Sequence, residues 1–233
     1  MVKQLAAIGL VLGMASGESA FADTITAPNN YYVGNSMPFG RIGNIDYQQI
    51  YSSSFFSTAI NIKSLSFSRD PNSGPNNGFA DGSYLISLST TSVAVGALDP
   101  INMMSNLGTN NQTFFSGTLS GGNTITGTPF LYVPSDGNLL LTVHAENRAT
   151  DWGTAGAPFD GLFWRADSNT GTSRAYYIPL YAQYGSAYGS DPVGLVTQFE
   201  FTPVPVPATL ALLGLGLVGL ARQRQVGTGK GVA

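Results

Sequence analysis

The stretch INIKSLSFS at 60–68 puts Ile60 and Ile62 on one face of an extended chain, then Leu65 and Phe67 in the opposite phase. Period-two patterning with a slip at Lys63-Ser64 predicts a bulged strand. YLISLSTT at 84–91 turns Tyr84, Ile86 and Leu88 inward, with Ser87 and Ser89 outward. In NLLLTVHAE at 138–146, Leu139, Leu141, Val143 and Ala145 alternate with Leu140, Thr142, His144 and Glu146. LVTQFEF at 195–201 aligns Leu195, Thr197, Phe199 and Phe201. Shorter strands are expected at 48–55, 114–119, 130–133, 162–165 and 174–177, and one helical piece at 98–107, where Pro100 suits a first turn.

Between these runs stand clusters rich in Gly, Asn, Asp, Ser and Pro: 70–82, 120–123, 134–138, 151–158, 167–171 and 185–192. Gly supplies positive φ, and Asn and Asp close turns through their own side chains, so each cluster reads as a loop. Many short strands separated by such loops predict an all-β fold, a single antiparallel β-sandwich of jelly-roll type over 23–202.

Charge narrows the function. Charged residues make up only 10% of the chain. Of thirteen acids and ten bases, Glu18 precedes the domain, and Lys3, Arg222, Arg224 and Lys230 lie at the ends. Twelve acids and six bases remain between, with no basic stripe to neutralise phosphates, so nucleic acid is excluded as a partner. The absence of cysteine removes disulfides, thiolate metal sites and thiol catalysis.

Both ends carry addresses. Lys3, the apolar run 5–14 and the small residues Ala20 and Ala22 follow the n-, h- and c-region layout of a signal peptide. Signal peptidase is expected to cut after Ala22. Near the other end, PVPVPATLALLGLGLVGLARQRQ at 203–225 runs from prolines through an uncharged apolar stretch to Arg222 and Arg224. As a helix, 208–221 would reach ~21 Å, short of a ~30 Å hydrocarbon core. Its place after a proline-rich break and before arginines nonetheless predicts a short transmembrane helix, with 226–233 as a cytoplasmic tail.

Pro205, Val206, Pro207 and the ATLALLGLGL run, closed by Arg222, resemble the PEP-CTERM sorting signal, in which a Pro-Glu-Pro motif precedes a short membrane helix and a basic tail. Val206 stands where that signal usually has Glu. The resemblance covers about the last thirty residues. It implies processing by an exosortase, transient anchoring in the inner membrane, and delivery to the cell surface or matrix. Tyr47-Gln48-Gln49-Ile50-Tyr51, Pro129-Phe130-Leu131-Tyr132 and Gly137-Asn138-Leu139-Leu140-Leu141 further resemble segments of uncharacterised secreted proteins of this kind. That implies a β-rich exported domain and no particular activity.

Catalytic chemistry finds little footing. His144 is the chain's one histidine, on the phase of Thr142 and Glu146, and no G-x-S-x-G elbow occurs. It reads as a half-exposed strand residue, and a histidine-based metal cluster is excluded. A glycan hydrolase needs only two carboxylates, and Glu146 and Glu200 are the two acids placed within the longer strands. Calcium is the one cofactor with candidate ligands, in the loops Asp167-x-Asn169 and Asp70-x-Asn72. Neither loop continues as an EF-hand, since loop position twelve holds Ile178 and Asp81. Ordinary Asx turns explain both.

Aromatics crowd the last third: Trp152, Trp164, Tyr176, Tyr177, Tyr181, Tyr184 and Tyr188. Rings on loops offer contact area at small entropic cost. Trp152, Trp164, Tyr181, Tyr184 and Tyr188 are therefore the candidate ligand platform. The expected function is a structural or adhesive, non-enzymatic role in exopolysaccharide or biofilm. A carbohydrate-binding module is the alternative, and a glycan hydrolase the third reading.

Overall fold

Alternating apolar positions become strands wherever one face can be buried, and both faces are covered where apolar residues run consecutively. The computed structural model describes residues 22–30, 33–40, 43–70, 78–148, 164–168, 171–179 and 187–204. These hold thirteen strands: β1 Asp23–Ala27, β2 Val33–Asn35, β3 Ile45–Tyr51, β4 Ile60–Phe67, β5 Phe79–Thr91, β6 Gln112–Gly121, β7 Thr124–Tyr132, β8 Asn138–Glu146, β9 Trp164–Ser168, β10 Thr172–Ile178, β11 Ala187–Asp191, β12 Val193–Leu195 and β13 Thr197–Pro203. The fold is all-β.

The expectation of one jelly-roll-like sandwich is corrected by the sheet count. Three open sheets are present, ordered β1-β13-β4-β7, β11-β10-β3-β8-β5-β6 and β12-β9-β2. The departure comes from β9, which pairs with β12 and β2 while β10 joins β3 in the large sheet. A jelly roll divides eight strands between two sheets, and neither the 4-, 6- and 3-stranded division nor this order matches it. The membrane-spanning helix is corrected as well. No helix among the described residues is long and apolar enough to cross a membrane, and 208–221 itself lies outside them. The helical expectation at 98–107 contracts to the 3-10 turn Met103–Asn106.

The four- and six-stranded sheets bury facing sides in one core. Ile62, Leu65, Phe67, Phe199 and Phe201 meet Tyr47, Tyr51, Ile86, Leu88, Leu139, Leu141 and Val143 there. Phe199 lies edge-on to Tyr51 and Phe56, at centroid distances of 5.0 and 5.4 Å. The bulge falls where the pattern slips: Ser64 opposes Glu200 and Ile62 opposes Phe201, leaving Lys63 as the extra residue. Two stretches with turn-like composition are strands: Phe79–Gly82 within β5, and most of 185–192, which forms β11.

Polar side chains tie the sheets together. Gln49 is fully buried on β3; its Oε1 accepts from Tyr47 Oη (2.6 Å) and Leu195 N (2.7 Å), and its Nε2 donates to Leu195 O (2.9 Å). Those contacts link the six-stranded sheet to the three-stranded one. Across the main core, Tyr51 Oη and Thr197 Oγ1 lie 2.6 Å apart. Burial pushes the Tyr47 and Tyr51 phenols far above their ordinary range, so both remain protonated donors.

Candidate functional site: an outer-face groove

Leu139, Leu140 and Leu141 are all buried, although a strand can turn only alternate residues to one face. Leu140 belongs to a second cluster on the outer face of the six-stranded sheet, with Ile50, Ala175 and Leu98. Leu98, Val93, Met103 and Leu107 come from the connection between β5 and β6, which folds back over that face. Hydrogen bonds hold it down: Asn106 Nδ2 donates to Gln48 Oε1 (2.7 Å), Gln48 Nε2 to Met103 O (2.9 Å), and Thr91 Oγ1 to Asn106 O (2.7 Å). Asp99 Oδ1 accepts from the backbone of Ile101 and Asn102, which holds its carboxyl below the ordinary range.

The connection covers only part of the face. Beside it runs a groove of about 570 Å³, lined on the sheet side by Asp46, Gln48, Thr142, His144, Tyr177 and Tyr188. Pro100, Ile101, Met104 and Leu107 form part of the opposite wall. The volume suits a small-ligand cleft. Ile101 and Met104 stay 78% and 74% exposed at the rim, and Tyr188 is 61% exposed.

Register gives this groove its order. Tyr188 opposes Tyr177, Tyr177 opposes Asp46, Asp46 opposes His144, and His144 opposes Leu85. Five strands thus contribute one row across the sheet, spanning ~19 Å at the usual strand spacing. An aromatic pair occupies one end and a charged cluster the middle. His144 Nδ1 lies 2.5 Å from Asp46 Oδ1, and Nε2 lies 3.0 Å from Glu146 Oε1. A neutral imidazole donates through one nitrogen only, so carboxylates on both sides favour the imidazolium. The Asp46 hydrogen bond is the main cause raising the His144 pKa; partial burial opposes it, and Glu146 adds to it.

The residues expected from sequence are scattered. Tyr188 lines the groove. Trp164 does not reach the surface: it is fully buried, stacked on Phe79 at 5.3 Å and near Phe39 at 6.1 Å, because its strand faces the core. Trp152, Tyr181 and Tyr184 lie outside the described residues, as do Ala20, Pro205, Val206, Pro207, Arg222 and Arg224. Ala22 is exposed just before β1. Of the calcium candidates, Asp167 is buried with Oδ1 accepting from Ser168 N (2.7 Å), Asp70 is buried, and Asn169 and Asn72 lie outside the described residues. Among the described residues no group of three or more His, Cys, Asp or Glu could hold a metal.

Glu146 and Glu200 are not brought together. Glu146 belongs to the polar phase of β8 in the six-stranded sheet. Glu200 belongs to the polar phase of β13 in the four-stranded sheet, where its Oε2 accepts from Ser64 Oγ (2.7 Å). The core separates those two faces. The pairing that sequence missed is Asp46 with His144, 98 positions apart and visible only through register.

Residues 203–225 match the PEP-CTERM protein-sorting motif. No curated protein and no solved structure matches the chain. The protein is thus a β-rich domain carrying an exosortase sorting signal near its C-terminus.

Proposed function

We propose that this exosortase substrate works outside the cell as a non-enzymatic matrix or surface protein that holds polysaccharide in its outer-face groove. On this reading, signal peptidase removes 1–22, the domain 23–202 does the binding, and the segment 203–225 is the address read by the exosortase.

One observation carries the binding role: the row Tyr188, Tyr177, Asp46 and His144 lining an open groove of about 570 Å³. A pyranose ring offers one apolar C–H face and a rim of hydroxyls. Tyrosine rings match the face at low entropic cost, and flanking carboxylates accept from the rim. The row also repeats at strand spacing, so neighbouring positions can address neighbouring sugars along a chain. Asp46 in the groove and Glu146 beside it are both already engaged by one imidazole, an arrangement suited to holding a ligand.

The test is affinity electrophoresis and calorimetry of the full chain against neutral, amino-sugar and uronate polysaccharides. A Tyr177→Ala/Tyr188→Ala variant should weaken binding by about 5- to 150-fold, since each ring contributes roughly 0.5–1.5 kcal/mol. Absence of binding to every polysaccharide, or binding indifferent to both tyrosines, would overturn the reading.

A further inference from the structure

We propose that the groove selects glycans bearing primary amines, that is, partly or fully deacetylated amino-sugar polymers, over neutral and uronate chains. The inference rests on the polysaccharide-binding reading and specifies its ligand.

The carboxylates at and beside the groove outnumber its one described cation, the His144 imidazolium. Asp46 of β3 and His144 of β8 line it; Glu146, paired with His144, stands beside the lining, and Asp99 of the covering connection is exposed next to the lining residue Pro100. Strands β10 and β11 add only the phenols of Tyr177 and Tyr188, and β5 adds Leu85 opposite His144. Among the described residues no lysine or arginine lines the groove. Arg174, the one lysine or arginine in the described strands of the six-stranded sheet, lies on the other phase of β10, where its guanidinium donates to both oxygens of Asp191 at 2.8–3.0 Å. Arg148 is buried with its NH groups on the carbonyls of Pro38 and Gly40. With the imidazole protonated, the Asp46–His144–Glu146 cluster still carries a net charge of about −1, and Asp99 adds to it.

The cluster also keeps acceptors to spare. Asp46 meets the imidazole through Oδ1 and Glu146 through Oε1. A carboxylate accepts at both oxygens, so each retains one that binds no described side chain and can take an ammonium N–H. Side-chain exposures of 41% and 55% leave these oxygens within reach of a ligand. Position completes the match. Tyr177 is the direct cross-strand neighbour of Asp46, so a sugar ring on Tyr177 has its substituents one strand spacing, ~4.8 Å, from that carboxylate. A uronate at the same place would set a third carboxylate beside Asp46 and Glu146, which already share the single imidazolium of His144.

Calorimetry on the full chain, with glucosamine oligomers, their N-acetylated counterparts, a neutral glucan, oligogalacturonate and polylysine, decides the matter. Glucosamine oligomers should bind about 3- to 10-fold more tightly than acetylated ones, and that margin should shrink with added salt. In Glu146→Gln and Asp46→Asn variants the ratio of glucosamine-oligomer to acetylated-oligomer affinity should fall to about one, whatever the absolute affinity for either. A thermal melt identifies any variant that is unfolded, and half-exposed Glu146→Gln alone then carries the test. Equal affinity for acetylated or neutral chains, or tighter uronate binding, overturns the amine selection and leaves polysaccharide binding standing. Binding to polylysine without glucosamine oligomers assigns the groove to a basic peptide and overturns both readings, as does binding to none of these ligands.

Discussion

Replacing Gln49 with leucine should destabilise the protein far more than its amide character suggests. Gln49 is fully buried between the six- and three-stranded sheets, with hydrogen bonds to Tyr47 Oη, Leu195 N and Leu195 O at 2.6, 2.7 and 2.9 Å. Leucine fills similar volume, so the packing loss is small. The cost lies in the abandoned partners. Leu195 O keeps Thr197 Oγ1 as a donor at 3.2 Å, whereas Tyr47 Oη and Leu195 N lose the acceptor they share. An orphaned buried polar group costs about 1–3 kcal/mol, so the variant should lose about 2–6 kcal/mol. Against a typical stability of about 5–15 kcal/mol, that is a large share. Urea unfolding followed by tryptophan fluorescence and far-UV circular dichroism should show the midpoint falling by about 1–3 M at an m-value of about 2 kcal/mol/M. Gln198→Leu, on the exposed phase of β13, is the control and should shift stability by no more than about 0.5 kcal/mol. Adding Tyr47→Phe to Gln49→Leu removes one orphan and should restore about 1 kcal/mol or more. A loss below about 1 kcal/mol in the single variant would refute the claim that this amide joins the two sheets.

The turn before β8 makes a second prediction. Gly137 has φ +141°, and a Cβ there would sit 2.4 Å from the backbone carbonyl oxygen of Thr91. Gly137→Ala should therefore cost more than about 1 kcal/mol and lower the melting temperature by at least about 2–4 °C; an unchanged melt would show that the turn relaxes freely. A third concerns pH. The His144 pKa is raised in the folded state, so its stabilisation is complete below the unfolded value, about 6.5, and fades as pH rises through the folded value. His144 is the chain's one histidine, so the slope of unfolding midpoint against pH above that value should flatten in His144→Gln. Parallel slopes for the two proteins would refute the ion-paired imidazole.

Apolar phase proved readable because burial leaves its mark on each strand separately. The inward sets of β5 and β8, and the slip at Lys63, follow from sequence because a strand has only two faces. Short or half-exposed strands lack that mark. In β11, Ala187–Asp191, the sequence AYGSD buries no residue fully and carries a glycine, so its local chemistry is that of a turn. Only cross-strand pairing with β10 makes it a strand, and no local signal reports a partner. The three-residue strands β2 and β12 are too short to show a period at all.

The groove was hidden for a related reason. Its residues come from the polar phase of their strands, which patterning marks only as outward. Thr142, His144 and Glu146 share an outer face with the buried Leu140, so that face is core at one end and open groove at the other. What divides it is the connection between β5 and β6, anchored by Leu98 and Leu107 and by the Gln48–Asn106 amide pair. Without that cover, Ile50 and Leu140 would be exposed apolar residues on an open sheet, with no wall to make a groove. The covering segment thus buries one half of the face and gives the other half its shape. Stability and the shape of the groove are therefore coupled through Gln48, which lines the groove and also donates to the segment's Met103 carbonyl at 2.9 Å. A residue at that position reads from sequence as an ordinary polar strand residue, and its dual part follows only once the long-range contacts are in place.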